Sequence, residues 1–261
     1  VNGTESTVMI NGINGMQFFE PPFFGEDRKK IISKLEYDLK SSNQPNSIYF
    51  WGDAGIGKTR LVKELLVKLQ GTYFDIYECK IQKGSSPELG IRKFLSDKNY
   101  IENDNNSDFS TFLSHCKNDF GKSAIIIIDD FHNATKEFME QIKKFNDCQN
   151  IVTLIICGRT DFSVGDINYF SFVHWSRTEN SKYCFDIEPL GDEETKSFIK
   201  VLIDGIPEYA LNKLFNLSMK NPLFIVQYIE YLLDCNLVLY LKKLLIFINY
   251  ELIIYLIKNM V

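Results

Sequence analysis

No two of the six cysteines stand in a C-x-x-C pair. Cys79, Cys116, Cys148, Cys157, Cys184 and Cys235 are scattered, several of them inside apolar runs. That pattern argues against a disulfide framework and for free thiols in a reducing, cytoplasmic compartment, where the sequons at Asn2, Asn105 and Asn133 carry no weight. No apolar run reaches the roughly 18 uncharged residues that a membrane span requires. The most apolar stretch, residues 236–261, is broken by Lys242, Lys243, Glu251 and Lys258, and reads as an amphipathic helix rather than an anchor. There is no excess of positive charge either. The net charge is −5 without a basic stripe, which argues against nucleic acid as a partner. The first residues lack a basic region followed by an apolar core, so no signal peptide is expected, and no internal repeat is legible.

What the chain does contain is concentrated between Ser47 and Leu66. Ser47-Ile48-Tyr49-Phe50-Trp51 is a β-type run. It enters Gly52-Asp53-Ala54-Gly55-Ile56-Gly57-Lys58-Thr59, which fits G-x-x-x-x-G-K-[ST] at every fixed position. Arg60 follows, and Leu61, Val62, Leu65, Leu66 and Leu69 form an apolar helical stripe. The glycines let the backbone curl with its N–H groups inward, and the start of the following helix favours an anion. Lys58 is placed to reach β- and γ-phosphates, and the Thr59 hydroxyl to bind the Mg²⁺ that bridges them. The bare pattern arises by chance in roughly one chain in a hundred of this length. The strand-loop-helix context is what makes it a nucleotide site.

A hydrolytic site needs further groups. Ala124-Ile125-Ile126-Ile127-Ile128 is an uninterrupted apolar run ending in Asp129-Asp130, as suits a strand buried on both faces. Asp129 is the candidate ligand of Mg²⁺ and Asp130 the candidate for orienting water; the alternative for both is to cap the next helix. Arg159 ends a second buried run, Ile151–Cys157. In a parallel sheet, strand ends share one rim, which places Arg159 where a cation meets the γ-phosphate; its alternative is a surface pair with Asp161. His132 reads as a capping or core histidine and Trp51 as core.

The remaining elements alternate. A helix is expected from Glu26 to about Lys40, a strand over Tyr73–Cys79, and helices near Ser86–Leu95 and Asp108–Cys116. An amphipathic helix carries Phe138, Ile142 and Phe145. Residues 162–182 are aromatic and polar with no clear period. Tyr183–Ile187 is a short strand. Beyond it only helices are expected, opening at Asp192, Pro207 and Pro222.

Four pieces together resemble the STAND class of AAA+-related P-loop ATPases, close to the origin-recognition-like AAA ATPase domain of signalling proteins. Phe23-Phe24-Gly25-Glu26-Asp27 is similar to the family's opening before its first helix, with Glu26 standing where the family has arginine. Gly52 to Leu61 resembles its Walker A, and Ile127-Ile128-Asp129-Asp130-Phe131-His132 its Walker B. Ile187-Glu188-Pro189-Leu190 and Asn221-Pro222-Leu223-Phe224 resemble later helical signatures, with Lys220 where glycine is frequent. The resemblance covers about residues 20–234. It implies that Phe24 and Gly25 flank adenine, that Pro222 lies on the base side, and that Arg159 is a sensor arginine.

The expected fold is α/β: a P-loop NTPase with a parallel five-stranded sheet, order 5-1-4-3-2, sandwiched by helices and followed by a small helical unit. The expected domains are a lead-in at 1–19, the ATPase domain at 20–190, a helical subdomain at 191–234 and an apolar helix at 235–261. The expected function is an ATP-binding, slowly hydrolysing, Mg²⁺-dependent switch within a larger signalling or regulatory protein. Protein partners or further domains of the same chain, and oligomerisation, go with it. The alternatives are a nucleotide-locked scaffold that does not hydrolyse, and a DNA-loading ATPase of the origin-recognition kind.

Overall fold

The computed structural model describes residues 9–11, 17–19, 21–41, 44–69, 74–83, 85–101, 107–117, 122–145, 151–161 and 166–234. The expected loop at 102–106 and the tail from Cys235 onward lie outside them. The chain divides into two compact units, one comprising Glu26–Pro189 and the other the residues on either side of it.

The larger unit is built on five parallel strands: β1 (Ser47–Trp51), β2 (Phe74–Lys80), β3 (Ser123–Asp129), β4 (Val152–Gly158) and β5 (Cys184–Asp186). Their order across the sheet is β2-β3-β4-β1-β5. As expected, the strand ending at Asp129 is not beside the P-loop strand, because β4 lies between them. The register aligns the strand ends: Trp51 faces Gly158 and Asp186, and Lys80 faces Asp129. The interior strands β1 and β4 are buried along their whole length, whereas the edge strand β2 is half exposed. This is why continuous apolar runs mark the former and alternation marks the latter.

Side chains alternate between the two faces of the sheet. Tyr49, Trp51, Ile126, Ile128, Leu154 and Ile156 face a core closed by helices α3 (Glu88–Asp97), α4 (Phe109–Ser114), α5 (Lys136–Phe145) and α6 (Ile167–Glu179). The other face carries α1 (Glu26–Leu39) and α2 (Lys58–Leu69), which pack on each other and bury Leu35, Leu39, Leu61 and Leu65. Helix α6 falls in the stretch without a legible period. Asp166 caps it, accepting from the backbone N–H of Asn168 at 2.8 Å. Its aromatic residues sit on both sides, Tyr169 and Phe172 buried but Phe170 partly exposed, which erases the helical signal.

In the other unit, α7 (Asp192–Leu202), α8 (Glu208–Leu217) and α9 (Pro222–Asp234) close a small core around Phe198, Ile199, Leu211, Leu214 and Ile225. Pro207 stands one residue ahead of the helix it was expected to open, as the N-cap of α8. Within 1–19, Met9–Asn11 and Gln17–Phe19 pair as an antiparallel ribbon, which no period in the sequence foreshadows.

Truncating Ile156, fully buried on the central strand β4, to alanine is expected to cost about 2–5 kcal/mol. Leu89→Ala, at a side chain 81% exposed, should stay within about 0.5 kcal/mol. Urea unfolding followed by tryptophan fluorescence checks the pair; equal effects at both positions would contradict this core.

Candidate functional site

The turn after β1 takes its shape from backbone that other residues rarely adopt. Gly52, Gly55 and Gly57 have φ of 153°, 73° and 102°. Gly52 is also tight: a Cβ there would lie 2.7 Å from the Ile187 carbonyl oxygen. That carbonyl belongs to the segment leaving β5, whose Ile187 N–H donates to the Trp51 carbonyl at 2.7 Å. Asp53 and Ala54 form the outer part of the turn, and Ile56 is buried beneath it.

Lys58 opens α2 and is buried. Its Nζ donates to the carbonyls of Gly52 and Asp53, both at 2.8 Å. Burial lowers its pKa, opposed by the charge of Asp129 among others. Thr59 follows, and its Oγ1 donates to Asp129 Oδ2 at 2.9 Å. The two motif residues assigned to the metal are thus in direct contact, although 70 positions separate them. A hydroxyl and a carboxylate are hard oxygen donors, which suit Mg²⁺ rather than a softer ion. Among the described residues there is no cluster of three or more His, Cys, Asp or Glu able to hold a metal. Arg60 faces away along α2, paired with Glu64 at 2.6 Å.

Asp129 Oδ1 accepts the backbone N–H of Asp130 at 2.8 Å. Asp130 itself is left-handed, with φ 52° and ψ 38°, so its carboxylate leaves the strand in a different direction from that of Asp129. It pairs with Lys80 Nζ at 2.9 Å. Lys80 is a site residue that sequence reading passed over, because the strand was expected to stop at Cys79; it runs one residue further and brings Lys80 onto the rim. Arg159 leaves β4 on the same rim, and its charge acts on Lys58, Lys80 and His132. His132 has its pKa lowered by burial and is neutral at pH 7. A cavity of about 430 Å³ opens beside Thr59 and Asp129, lined also by Lys63, Glu78 and Lys80. The Cys79 thiol on its wall is pushed up to about 12 by burial and by Asp129, and is therefore protonated.

Arg28 is a second residue missed. It sits one turn before Ile32 on the buried stripe of α1, where the helical period could have flagged a charge on an apolar face. Its guanidinium donates to the Glu188 carbonyl at 2.8 Å and stands 3.2 Å from where a Cβ on Gly57 would be. Phe24, Gly25 and Pro222 belong to the other unit. There the Phe24 ring lies 5.1 Å from Phe198, Gly25 has φ 108°, and Pro222 opens α9 behind Asn221, whose side chain accepts the Leu223 N–H at 3.0 Å.

Gly52→Ala meets both a strained φ and a backbone clash, so it is expected to cost about 1–3 kcal/mol of stability. Nucleotide affinity should fall with it. Chemical unfolding and nucleotide titration of the same variant check this, and wild-type values in both would show that the turn tolerates a side chain.

Residues 41–163 match a family described as an AAA domain. No curated protein matches the chain. Among solved structures it is similar to a mutant of Thermotoga maritima RuvB, at 14% identity and a TM-score of 0.51, covering 84% of this chain and 66% of that one. It is also similar to domain III of the Thermotoga maritima replication initiation protein DnaA, at 14% identity and a TM-score of 0.49, covering 90% and 92%. A third is the Aeropyrum pernix ORC2 protein, at 12% identity and a TM-score of 0.47, covering 76% and 57%. The chain spans 63% of the length of another RuvB mutant. At 14% identity the likeness to the first of these, with its TM-score of 0.51, speaks for the fold alone. The family match encloses the phosphate-binding turn, Asp129 and the strand between them, so residues 41–163 of this chain are similar to an AAA-type P-loop ATPase domain in the part that carries the site.

Proposed function

We propose that this domain is a Mg²⁺-dependent ATP switch of the STAND class that hydrolyses its nucleotide slowly. The observation that carries the reading is the 2.9 Å contact between Thr59 and Asp129, which joins the two halves of a metal-nucleotide site. The backbone N–H groups of residues 52–59 cradle the phosphates, and Lys58 exchanges its loop carbonyls for β- and γ-phosphate oxygens. Thr59 and Asp129 hold Mg²⁺, which when bound neutralises charge on the phosphates. Asp130 orients the water that attacks the γ-phosphorus, and Arg159 stabilises the charge spread over the γ-oxygens. The cavity lined by Thr59 and Asp129 supports the metal assignment, since it leaves space beside that pair.

The Lys80 ion pair supports slow turnover, because Asp130 must leave an ammonium before it can serve water. The cytoplasmic setting is supported by the free thiols of Cys79, Cys116, Cys157 and Cys184. Among the described residues no helix is long and apolar enough to cross a membrane. We assign the switch to a larger signalling or regulatory protein, acting on protein partners, on neighbouring segments of its own chain or through self-association.

Titration with ATP, with and without Mg²⁺, tests the binding site. Lys58→Ala should lose binding, and Thr59→Ala should lose the gain in affinity that Mg²⁺ confers. An undiminished Mg²⁺ effect in Thr59→Ala would remove that residue from the metal. Single-turnover hydrolysis tests the switch. Asparagine tolerates the left-handed backbone of residue 130, so Asp130→Asn isolates the carboxylate. It should bind ATP normally and turn over about tenfold or more slowly. Wild-type turnover at background level would instead identify a nucleotide-locked scaffold, and salt-sensitive duplex binding would favour the DNA-loading reading.

A further inference from the structure

The end of β4 is held by a residue that belongs to neither motif. Tyr169 lies in the first turn of α6, fully buried, and its hydroxyl donates to the Arg159 carbonyl at 2.7 Å. Its ring stands edge-on to Trp51, with centroids 5.9 Å apart at 89°. Trp51 is the last residue of β1 and leads directly into Gly52. The indole is locked in turn, because its Nε1 donates to Ser176 Oγ at 2.9 Å, also on α6. Gly158 fits between these groups: a Cβ there would run into both the Tyr169 hydroxyl and the Trp51 ring. Its φ is not in the left-handed region, so space rather than conformation requires glycine here. Burial pushes the Tyr169 phenol upward, which keeps it a neutral donor. One side chain thus ties the strand that opens the phosphate turn to the residue proposed to sense the γ-phosphate.

We propose that Tyr169 is a positioning residue that sets the place of Arg159 at the γ-phosphate by anchoring its backbone to the end of the P-loop strand. This rests on the reading of Arg159 given above. The physical reason is that a charged group stabilises a phosphate only when held at the right point, and a displacement of about 1 Å discards much of the effect. The Trp51 and Tyr169 rings fill the core whether or not the hydroxyl is present, so the hydrogen bond is separable from the packing.

The test measures affinities for ATP and ADP by titration in Tyr169→Phe, Arg159→Ala and the double variant, with thermal melting alongside. Arg159→Ala should lower ATP affinity and spare ADP. Tyr169→Phe, which keeps the ring, should lower ATP affinity about fivefold at nearly unchanged ADP affinity. The double variant should bind ATP no more weakly than Arg159→Ala alone. Gly158→Ala, which pushes the hydroxyl from the other side, should reproduce the shift in the ATP:ADP ratio and serves as the second perturbation should Tyr169→Phe fold poorly. Equal loss of ATP and ADP in Tyr169→Phe would reduce the residue to packing and overturn the proposal. An unchanged ratio in Tyr169→Phe or Gly158→Ala, beside a collapsed ratio in Arg159→Ala, would overturn it while leaving Arg159 in place. An unchanged ratio in Arg159→Ala would overturn both.

Discussion

The five strands of the larger unit run parallel, and their C-terminal ends therefore share one rim. Placing β4 between β1 and β3 sets the P-loop strand two spacings, about 10 Å, from the strand that ends at Asp129. The phosphate turn bridges that gap. Its six residues, 52–57, lead into α2, and the second residue of that helix, Thr59, reaches Asp129. The intervening strand delivers Arg159 to the same rim. A direct pairing of β1 with β3 would displace all three groups relative to one another.

Tight backbone contacts keep this geometry in place. Gly52 lies against the Ile187 carbonyl, Gly158 against Tyr169 and Trp51, and Gly57 beside the Arg28 guanidinium. The turn and the strand end beside it are thus held from α1, from the segment after β5 and from α6 at once. The buried Lys58 ammonium needs that support. Its charge is costly in a partly dry site, and two loop carbonyls offset the cost by accepting its hydrogen bonds.

Aromatic side chains carry much of the packing on the α6 side. Tyr49, Trp51, Phe131, Tyr169 and Phe172 touch one another at centroid distances between 4.9 and 6.5 Å, mostly tilted or edge-on, as ring quadrupoles prefer. Phe131 follows Asp130, and Trp51 precedes Gly52. The core and the acidic pair are therefore adjacent in the chain, and the left-handed turn at Asp130 marks where the strand gives way to the site.

The sequence by itself determined the phosphate turn, the acidic pair and the buried strands. These features are local: a glycine pattern with its flanking strand and helix, and apolar runs of a length and β-branched composition that suit strands buried on both faces of a sheet. The strand order came from family resemblance rather than from local pattern, since nothing in Ile151–Cys157 says which neighbours it takes. Helix α6 was not legible, because its aromatic residues lie on both faces and the period disappears. The roles of Lys80 and Tyr169, and the partner of Arg28, were decided only by the tertiary structure. Each acts through a partner 50 positions away, as with Lys80 and Asp130, or through a backbone carbonyl, as with Glu188 and Arg159. Carbonyls are present at every residue and leave no trace in the side-chain pattern, so which of them a buried donor finds is settled only when the strands and helices have packed.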